Sequence, residues 1–332
     1  MAANAQARDV IRSAPSPDCI ACGRQGVELY DALVDDLYGT PGTWRMVHCP
    51  DTACGMLWLD PKPLAADLIK AYANYHTHGN RKRGARQTGL SALNATCKLA
   101  SRAVDLATGL ARQRRALRVM FLGDMRPGRL LEVGSGSGRF LHRMHAAGWE
   151  VQGTDFDPAV AERVRRRYGL RVDVGDLVAL RYPADAFDAV ALSQVLEHVH
   201  DPIALLRECA RLLRAGGRLV LSTPNAAGLA HRRYGRNWRG LEPPRHLHLF
   251  TPAALERCAG LAGLRSVNVR TLSAESAGVY RASDELGGSR APGAAARAAA
   301  SVMVSWVRRH LEYRAGRSDP AAGQDIFLVA TK

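Results

Sequence analysis

The sequence lacks the long apolar segments of membrane-spanning proteins. Its 332 residues contain no uninterrupted apolar run of about 18 residues. The opening stretch, MAANAQARDVIRSAPSPDC, has no apolar core of the kind found in signal peptides. We therefore expect a cytoplasmic protein. Because that compartment disfavours stable disulfides, the seven cysteines call for another explanation.

Acidic residues are scarce relative to basic ones. Lys and Arg number 46 against 31 Asp and Glu, so the formal net charge is +15. Such a surplus attracts nucleic acid, an anionic membrane surface or a phosphorylated substrate, and composition alone does not choose among them. Between Arg81 and Arg118 the only acid is Asp105. Apolar residues recur there at helical spacing, which predicts helices with a basic outer face.

Two common nucleotide-binding motifs are missing from the glycine-rich stretch LLEVGSGSGRF at residues 130–140. No Lys follows as in a Walker A loop, and the third glycine of a dinucleotide fingerprint would fall on Arg139. Glycines let the backbone approach a ligand closely, and a following helix offers free N–H groups. The pattern that is present reads Glu-x-Gly-x-Gly-x-Gly and comprises Glu132, Gly134, Gly136 and Gly138.

From about residue 128 onward, strand-like and helix-like segments alternate. This alternation predicts a parallel sheet with helices on both faces. The helical stretch PIALLRECARLLRAGG is predicted to end at Gly216 and Gly217. The predicted strands are Leu130–Val133, Val151–Thr154, Leu170–Val174, Phe187–Leu192, Leu219–Ser222, and the segments SVNVRTL and DIFLVAT.

Carboxylates follow two of these strands. Asp155 ends the second strand, where a carboxylate can accept hydrogen bonds from both ribose hydroxyls, and Asp176 follows the third, where it suits an adenine amino group. With the glycine pattern and the fourth and fifth strands in order, residues 128–270 resemble the class I S-adenosylmethionine-dependent methyltransferases. The similar branch includes ubiquinone-biosynthesis O-methyltransferases and many sugar and natural-product methyltransferases.

The resemblance implies a Rossmann-like α/β fold. Its seven-stranded sheet has the order 3-2-1-4-5-7-6 with the last strand antiparallel. It also implies that Gly134 and Gly136 face the methionine part of S-adenosylmethionine, that Asp155 binds the ribose and that Asp176 binds the adenine. Ser193 is expected to line the pocket at the end of the fourth strand. The complete set of expected cofactor residues is Glu132, Gly134, Gly136, Gly138, Asp155, Asp176, Leu177 and Ser193.

The segment QVLEH after the fourth strand departs from this branch. The ubiquinone enzymes carry Glu-x-x-Glu-His there, a set that the resemblance implies binds a divalent cation. Gln194 replaces the first Glu here, so we do not expect a cation at this position. Glu197 and His198 are candidates both for a structural hydrogen-bond network and for catalysis, and the sequence leaves the two interpretations open.

Four cysteines near the N-terminus are spaced like a metal site. Two short Cys-x-x-Cys-like turns each end in Cys-Gly, and their thiolates suit a closed, tetrahedral, structural Zn²⁺. The ligands are Cys19, Cys22, Cys49 and Cys54. We therefore predict a zinc-ribbon-like unit over 15–62, a basic helical linker over 63–125, and a methyltransferase domain over 126–332 with a helical insertion at about 273–322. The remaining cysteines, Cys97, Cys209 and Cys258, are predicted to be buried apolar residues.

Methyl transfer to a hydroxyl requires alignment and removal of a proton. The stretch WRGLEPPRHLHLFTP follows the fifth strand, where the family's acceptor pocket lies. In an extended chain His246 and His248 point the same way, so either is a candidate base, although histidines also pack in loops. The neighbouring arginines are candidates either for phosphate binding or for a solvated surface; they are Arg232, Arg233, Arg236, Arg239 and Arg245.

The favoured function is O-methylation of a small molecule or glycan precursor. A nucleotide- or lipid-linked sugar or a secondary metabolite fits, and C-methylation of a nucleotide sugar is a variant. An RNA methyltransferase is the competing class, but the basic segment has no aromatic stacking residues, so nucleic acid is the less favoured partner. A zinc-ribbon binding module on a degenerate methyltransferase fold is the third. The insertion helix AAARAAASVMVSWVRRHLEYR is expected to close over an amphipathic acceptor with its apolar face, or to contact a membrane peripherally.

Overall fold

The computed structural model describes residues 10–73, 104–288 and 294–332, and side chains from residue 303 onward in the last range. Most of the predicted basic linker, residues 74–103, lies outside the described residues, and so does Cys97. The linker's helical character therefore stays a prediction over that stretch.

The N-terminal part is built of short strands and turns. The strands are β1 Ser13–Ala14, β2 Val27–Leu33, β3 Trp44–His48, β4 Leu57–Leu59 and β5 Lys62–Pro63, followed by helix α1 Ala65–Leu68 and a 3-10 helix Ile69–Tyr72. Strands β2, β3 and β4 form an antiparallel meander, and β1 pairs with β5. Short strands joined by tight turns are what a chain folded around a cysteine cluster requires.

The central sheet has the predicted architecture. Its strands are β6 Arg129–Val133, β7 Glu150–Asp155, β8 Val172–Val174, β9 Phe187–Ser193, β10 Leu213–Pro224, β12 Arg265–Leu272 and β13 Asp325–Thr331, and they lie in the order β12-β13-β10-β9-β6-β7-β8. The strands from β6 to β10 are parallel, whereas β13 runs antiparallel to both of its neighbours. Counted from β6, this is the order 3-2-1-4-5-7-6, so the predicted fold class is confirmed.

Helices cover the sheet, and several begin with the expected capping chemistry. They are α2 Leu110–Arg118, α3 Arg139–Ala146, α4 Pro158–Tyr168, α5 Pro202–Leu212, α6 Leu229–Tyr234, α7 Pro252–Leu261, α8 Ser276–Leu286 and α9 Ala294–Ala315. Asp157, Asp201 and Thr251 each accept a hydrogen bond from a backbone N–H in the first turn of α4, α5 and α7, and a proline follows each of them. No helix within the described ranges is long and apolar enough to cross a bilayer.

One helix boundary differs from the prediction. Helix α5 ends at Leu212 rather than at the Gly216-Gly217 pair, and strand β10 begins at the next residue. The register of β10 against β9 shifts between Leu213 and Arg218, and Gly216 has a φ of 73°. The glycines therefore form an irregularity inside the strand, because a positive φ suits such a bulge as well as it suits a helix end.

The two parts of the chain share a sheet and a core. Strand β11, His248–Leu249, follows β10 in the chain but pairs antiparallel with β4, so a core segment completes the N-terminal sheet. Cys54 and Trp58 belong to the same hydrophobic cluster as Leu206 and Leu255 from α5 and α7. The N-terminal unit is thus packed directly against the central domain.

Candidate cofactor and acceptor site

The glycine loop joins β6 to α3 in a conformation that requires glycine. Gly134, Gly136 and Gly138 have φ values of 74°, 48° and 69°, a region that other L-residues enter at a cost. A Cβ at Gly134 would lie 2.5 Å from Cγ2 of Val195, and one at Gly138 would lie 2.7 Å from Cγ2 of Val164. The loop is therefore closely packed on both sides, and α3 begins directly after it.

Asp155 lies beside this loop at the end of β7. Its carboxylate accepts a hydrogen bond from the backbone N–H of Gly136 at 3.0 Å and another from Asp157 at 3.0 Å. The side chain is nearly buried, with 7% of its surface exposed. These bonds hold a carboxylate at the carboxyl edge of the sheet, next to the glycine loop, which is where the sequence predicted a ribose contact.

Glu132 is buried beneath the loop. Burial, with the nearby carboxylate of Asp155 as a weaker cause, raises its pKa well above the ordinary value. The backbone N–H of Leu141 in the first turn of α3 donates to this carboxylate, while Oε2 has no hydrogen-bond partner among the described residues. An orphaned buried acceptor of this kind suits a site that is completed by a polar ligand.

Asp176 and Leu177 follow β8. Asp176 is exposed, and its Oδ1 accepts hydrogen bonds from the backbone N–H groups of Val178 and Ala179 at 2.9 and 3.3 Å. Leu177 is buried in the main hydrophobic cluster. The structure thus assigns Asp176 a turn-capping role, and its contact with adenine stays a prediction.

Comparisons with known proteins point to the same chemistry. A family model described as a methyltransferase domain matches residues 107–269. A ubiquinone biosynthesis O-methyltransferase of Xanthomonas oryzae pv. oryzae (strain PXO99A) is 41% identical over 111 residues, which are 31% of this chain and 45% of the relative. Residues 107–269 form a class I S-adenosylmethionine-dependent methyltransferase domain.

Other similar proteins are also methyltransferases by name. A probable S-adenosylmethionine-dependent methyltransferase of Mycolicibacterium smegmatis (strain ATCC 700084 / mc(2)155) is 40% identical over 98 residues, or 29% of this chain and 38% of the relative. A solved S-adenosylmethionine-dependent methyltransferase from Archaeoglobus fulgidus has a TM-score of 0.45 and 20% identity, and covers 69% of this chain and 94% of its own. The chain spans less than half the length of these curated relatives.

A cavity of about 1110 Å³ opens at the carboxyl edge of the methyltransferase domain. Ser193 at the end of β9, Gln194 directly after it and Ser222 in β10 form one wall, and Asp325 at the start of β13 lies beside them. The hydroxyls of Ser193 and Ser222 are 3.2 Å apart. Trp306 and Arg309 of α9 line the same cavity, together with residues of α2 and the turn before it. Of the predicted cofactor residues within the described part of the chain, Ser193 lines this cavity.

The histidines singled out in the sequence do not line this cavity within the described part of the chain. His246 is buried, and its Nδ1 lies 2.7 Å from the carbonyl oxygen of Gly240. His248 is buried in β11, with Nε2 3.1 Å from Nζ of Lys62 and 3.3 Å from the carbonyl oxygen of His200. Burial lowers the pKa of His246 to about 3 and that of His248 well below its usual range. The two side chains therefore lie in different environments. A role for either one as the general base stays a prediction.

Glu197 is buried and His198 is half-buried, and both take part in hydrogen bonds. Oε2 of Glu197 accepts a hydrogen bond from the hydroxyl of Thr223 at 2.9 Å, and burial raises the pKa of Glu197 to about 8. Nδ1 of His198 is 3.0 Å from the hydroxyl of Tyr72, and its ring lies 4.7 Å from that of His246. Burial lowers the pKa of His198. The structural interpretation of this pair is the one that the contacts support.

Three possible metal ligands meet behind β9. Ligand atoms of Glu197, His198 and His246 lie within 4.8 Å of one another. Gln194, which replaces the first Glu of the related enzymes, bonds through its side chain to Asp325 instead. The absence of a divalent cation at this place stays a prediction.

The four predicted zinc ligands do come together. Their sulfur atoms lie within 4.8 Å of one another, with 3.7 Å between Cys19 and Cys54 and 3.3 Å between Cys22 and Cys49. A tetrahedral zinc with Zn–S bonds of about 2.3 Å would place its sulfurs about 3.8 Å apart. The turns close as expected, since Gly23 donates to the carbonyl of Cys19 at 2.7 Å. The residues fit a structural zinc ion.

Several arginines near β11 pair with carboxylates in this structure, and phosphate binding by the group stays a prediction. Arg245 is fully buried and pairs with both carboxylate oxygens of Asp35, at 2.8 and 2.9 Å, and with Glu242 at 3.0 Å. Arg239 also pairs with Glu242, and Arg232 pairs with Asp319 at 2.5 Å. Three of the five predicted phosphate ligands are thus engaged by carboxylates, because the folded chain brings acids from distant segments next to them.

Sequence reasoning missed several residues of the site. Asp325 and Trp306 line the cavity but stand in segments without a motif. Phe156, next to Asp155, is 55% exposed and packs edge-to-face on Tyr72 with ring centroids 5.3 Å apart. Phe156 could have been predicted from its place directly after the expected ribose carboxylate. Asp325 could have been predicted only from its position at the start of the last strand.

Proposed function

We propose that the chain transfers a methyl group from S-adenosylmethionine to a hydroxyl of a small molecule or glycan precursor. The observation that supports this proposal is the arrangement of residues at the carboxyl edge of the sheet. The glycine loop, the buried carboxylate of Asp155 and the orphaned oxygen of Glu132 lie on one side, and the cavity begins at Ser193. When bound, S-adenosylmethionine supplies an electrophilic methyl group, and the chain has to align the acceptor and take up its proton.

Asp325 is the residue proposed to take up that proton. It is the first residue of β13, and its backbone is paired with Pro224 on one side and Leu272 on the other, so its position is rigid. Its side chain lines the cavity and bonds to Gln194. Burial, reinforced by Glu312, raises its pKa to about 8, close to the value that suits a base working near neutral pH.

The acceptor class is proposed from the size and polarity of the cavity. A volume of about 1110 Å³ lies just above the usual range for one small ligand, so it has room for an acceptor larger than a simple metabolite. Arg115, Arg118 and Arg143 stand at its wall, and guanidinium groups of this kind suit a phosphate or carboxylate on the acceptor. The ubiquinone-biosynthesis relatives are O-methyltransferases by name, which favours a hydroxyl acceptor.

The substrate class is tested by incubation with radiolabelled S-adenosylmethionine and separate pools of phenols, nucleotide sugars, lipid-linked glycans and RNA. We expect label in a small-molecule or glycan pool. Label in RNA alone would overturn the proposed acceptor class and leave the methyltransferase assignment intact. Failure to bind S-adenosylmethionine in calorimetry would overturn both.

The proposed base is tested with Asp325→Asn on the acceptor found in that screen. Because a carboxylate must be deprotonated to act as a base, wild-type kcat should rise with pH through about 8. The variant should lose about 10²- to 10⁴-fold in kcat and lose this pH dependence, while its affinity for S-adenosylmethionine stays the same. His248→Gln is the matched control. An unchanged pH profile in Asp325→Asn would exclude it as the base.

A further inference from the structure

Helix α9 turns polar side chains inward and apolar side chains outward, the opposite of a helix that packs on a protein core. Ser305, Arg309 and Glu312 are buried on the inward face. On the outward face Met303, Val304, Val307 and Leu311 are 53%, 42%, 54% and 57% exposed. The spacing of three and four residues places each set on one side of the helix. Of the apolar residues expected to close over the acceptor, Trp306 lines the cavity beside Arg309, whereas Met303, Val304 and Val307 are exposed. Closure of α9 over an acceptor stays a prediction.

Polar contacts hold α9 in this orientation. Glu312 accepts hydrogen bonds from the hydroxyl of Tyr280 at 2.7 Å and from the backbone N–H of Gln324 at 2.9 Å. Arg309 forms a buried ion pair with Asp105. Rotating the helix to bury its aliphatic side chains would leave these buried polar groups without partners, which is costly. The outward apolar face is thus imposed by the packing beneath it.

The exposed aliphatic side chains of α9 form one surface. Met303, Val307 and Leu311 follow one another at intervals of four residues, and Val304 is three residues before Val307, so the four share one side of the helix. A group of large exposed aliphatic side chains on a folded domain marks a contact with an apolar partner. We call this surface the α9 face; it comprises Met303, Val304, Val307 and Leu311.

The positive charge around the α9 face indicates that its partner is anionic. Arg314 and Arg317 are exposed at the end of α9, and Arg112, Arg115 and Arg118 are exposed on α2. The whole chain carries a formal charge of +15, so two copies meeting at this face would bring like charges together. Anionic lipid headgroups would instead attract the arginines while the aliphatic side chains enter the boundary with the acyl chains.

We propose that the α9 face docks on the surface of an anionic membrane. No described helix can cross a bilayer, so α9 would lie in the plane of the interface. Trp306 and Arg309 of the same helix line the cavity, so docking would place the cavity one helix away from the lipid. This placement suits an amphipathic acceptor that resides in the membrane.

Vesicle flotation of the full chain tests the docking. The probes are vesicles of phosphatidylcholine alone and of phosphatidylcholine mixed with phosphatidylglycerol. Wild-type protein should float with the anionic vesicles only, and rising salt should weaken the binding. Met303→Ser/Val307→Ser/Leu311→Ser should lower the partition coefficient by at least about tenfold. Arg314→Gln/Arg317→Gln should lower it roughly fivefold per arginine removed.

The matched control removes exposed aliphatic side chains elsewhere. Val27, Val178 and Leu261 are 50%, 54% and 49% exposed on other elements, and their triple serine variant should bind vesicles like wild type. Thermal unfolding and affinity for S-adenosylmethionine should be unchanged in both triple variants. Wild-type protein that fails to float overturns the proposal. So does a concentration-dependent dimer that the α9 variant abolishes, because the face would then join two copies of the chain.

Discussion

The glycine loop and the seam between the two parts of the chain are built in opposite ways. In the glycine loop, Gly136 binds Asp155 within a single strand–helix–strand unit. In the seam, which we define as the contacts of residues 35–72 with residues 239–250, Arg245 binds Asp35 across 210 positions of sequence. Both are tightly packed and polar. Only the first is visible as a motif, because its partners are neighbours in the chain as well as in space.

The seam also carries more buried charge than the loop. Arg245 is fully buried between Asp35 and Glu242, and it stacks over the ring of Tyr38 at 4.5 Å. The pKa values of Asp35 and Glu242 are both about 2 despite their burial, chiefly through Arg245 for Asp35 and through His246 and the arginines for Glu242. The seam therefore depends on each of its charged partners being present, because removing one leaves a buried charge uncompensated.

Removing the metal should have the largest effect on the seam. We expect about one zinc per chain by elemental analysis, held by the cysteine cluster. Structural zinc contributes on the order of 10 kcal/mol in small zinc domains. Because the cysteines share a hydrophobic cluster with α5 and α7, chelation should weaken hydrogen-exchange protection in β3 and β10 together. A metal-free protein whose N-terminal region is fully folded would refute the zinc assignment.

Breaking the buried ion pair should have the next largest effect. Asp35→Asn leaves Arg245 buried without its bidentate partner and should cost about 3–5 kcal/mol in the free energy of unfolding, measured by denaturant titration. Glu162→Gln is the control, since Glu162 pairs with Arg165 at 2.8 Å on the surface and should cost no more than about 0.5 kcal/mol. Equal effects would mean that the seam is no more demanding than the surface.

In the glycine loop, Asp155→Ala should affect ligand binding most. Loss of charge-assisted hydrogen bonds to a ribose should weaken the affinity for S-adenosylmethionine by a few kcal/mol, or about a hundredfold, without unfolding the protein. Isothermal calorimetry measures the change. Asp176→Ala is the comparison, because Asp176 already caps a turn, and its loss should weaken binding less. Unchanged affinity in Asp155→Ala contradicts the ribose contact.

Gly134→Ala separates backbone strain from close packing in the loop. The substitution adds a Cβ at a φ of 74° and 2.5 Å from Val195, so we expect a loss of about 2–3 kcal/mol in unfolding free energy. Gly169→Ala has a similar φ of 67° with nothing within 4 Å, and should lose only about 1 kcal/mol. Adding Val195→Ala should recover part of the difference. Equal losses in the two glycine variants would show that the loop has room for a side chain.

The smallest effect is expected in the pH dependence of the free energy of unfolding. It concerns Glu312, whose hydrogen bonds also join distant parts of the chain. Burial raises the pKa of Glu312 to about 7. The folded chain therefore holds a proton that the unfolded chain releases, so this stabilisation is complete in acid and is lost as pH rises from about 4.5 to about 7. Glu312→Gln should weaken the pH dependence of the unfolding free energy in this window. A slope identical to wild type would mean that Glu312 is ionised in the fold.

Much of the central domain could be predicted from the sequence. The glycine spacing, the apolar strand runs and the Asp-Pro and Thr-Pro helix starts depend on interactions within a few residues. Resemblance to a known family supplied the strand order and the cofactor. The cysteine spacing predicted the metal cluster for the same reason, since each pair of ligands closes a short turn.

Tertiary structure decided the rest. Three features depend on which distant segments pack together. They are the pairing of His248 with β4, the burial of Arg245 against Asp35, and the position of Asp325 at the cavity. The orientation of α9 is a further case. The sequence of α9 allows either face to turn inward. Contacts with Tyr280, Gln324 and Asp105 hold the polar face inward. Periodicity encodes which residues share a face, whereas burial of that face depends on what the rest of the chain presents to it.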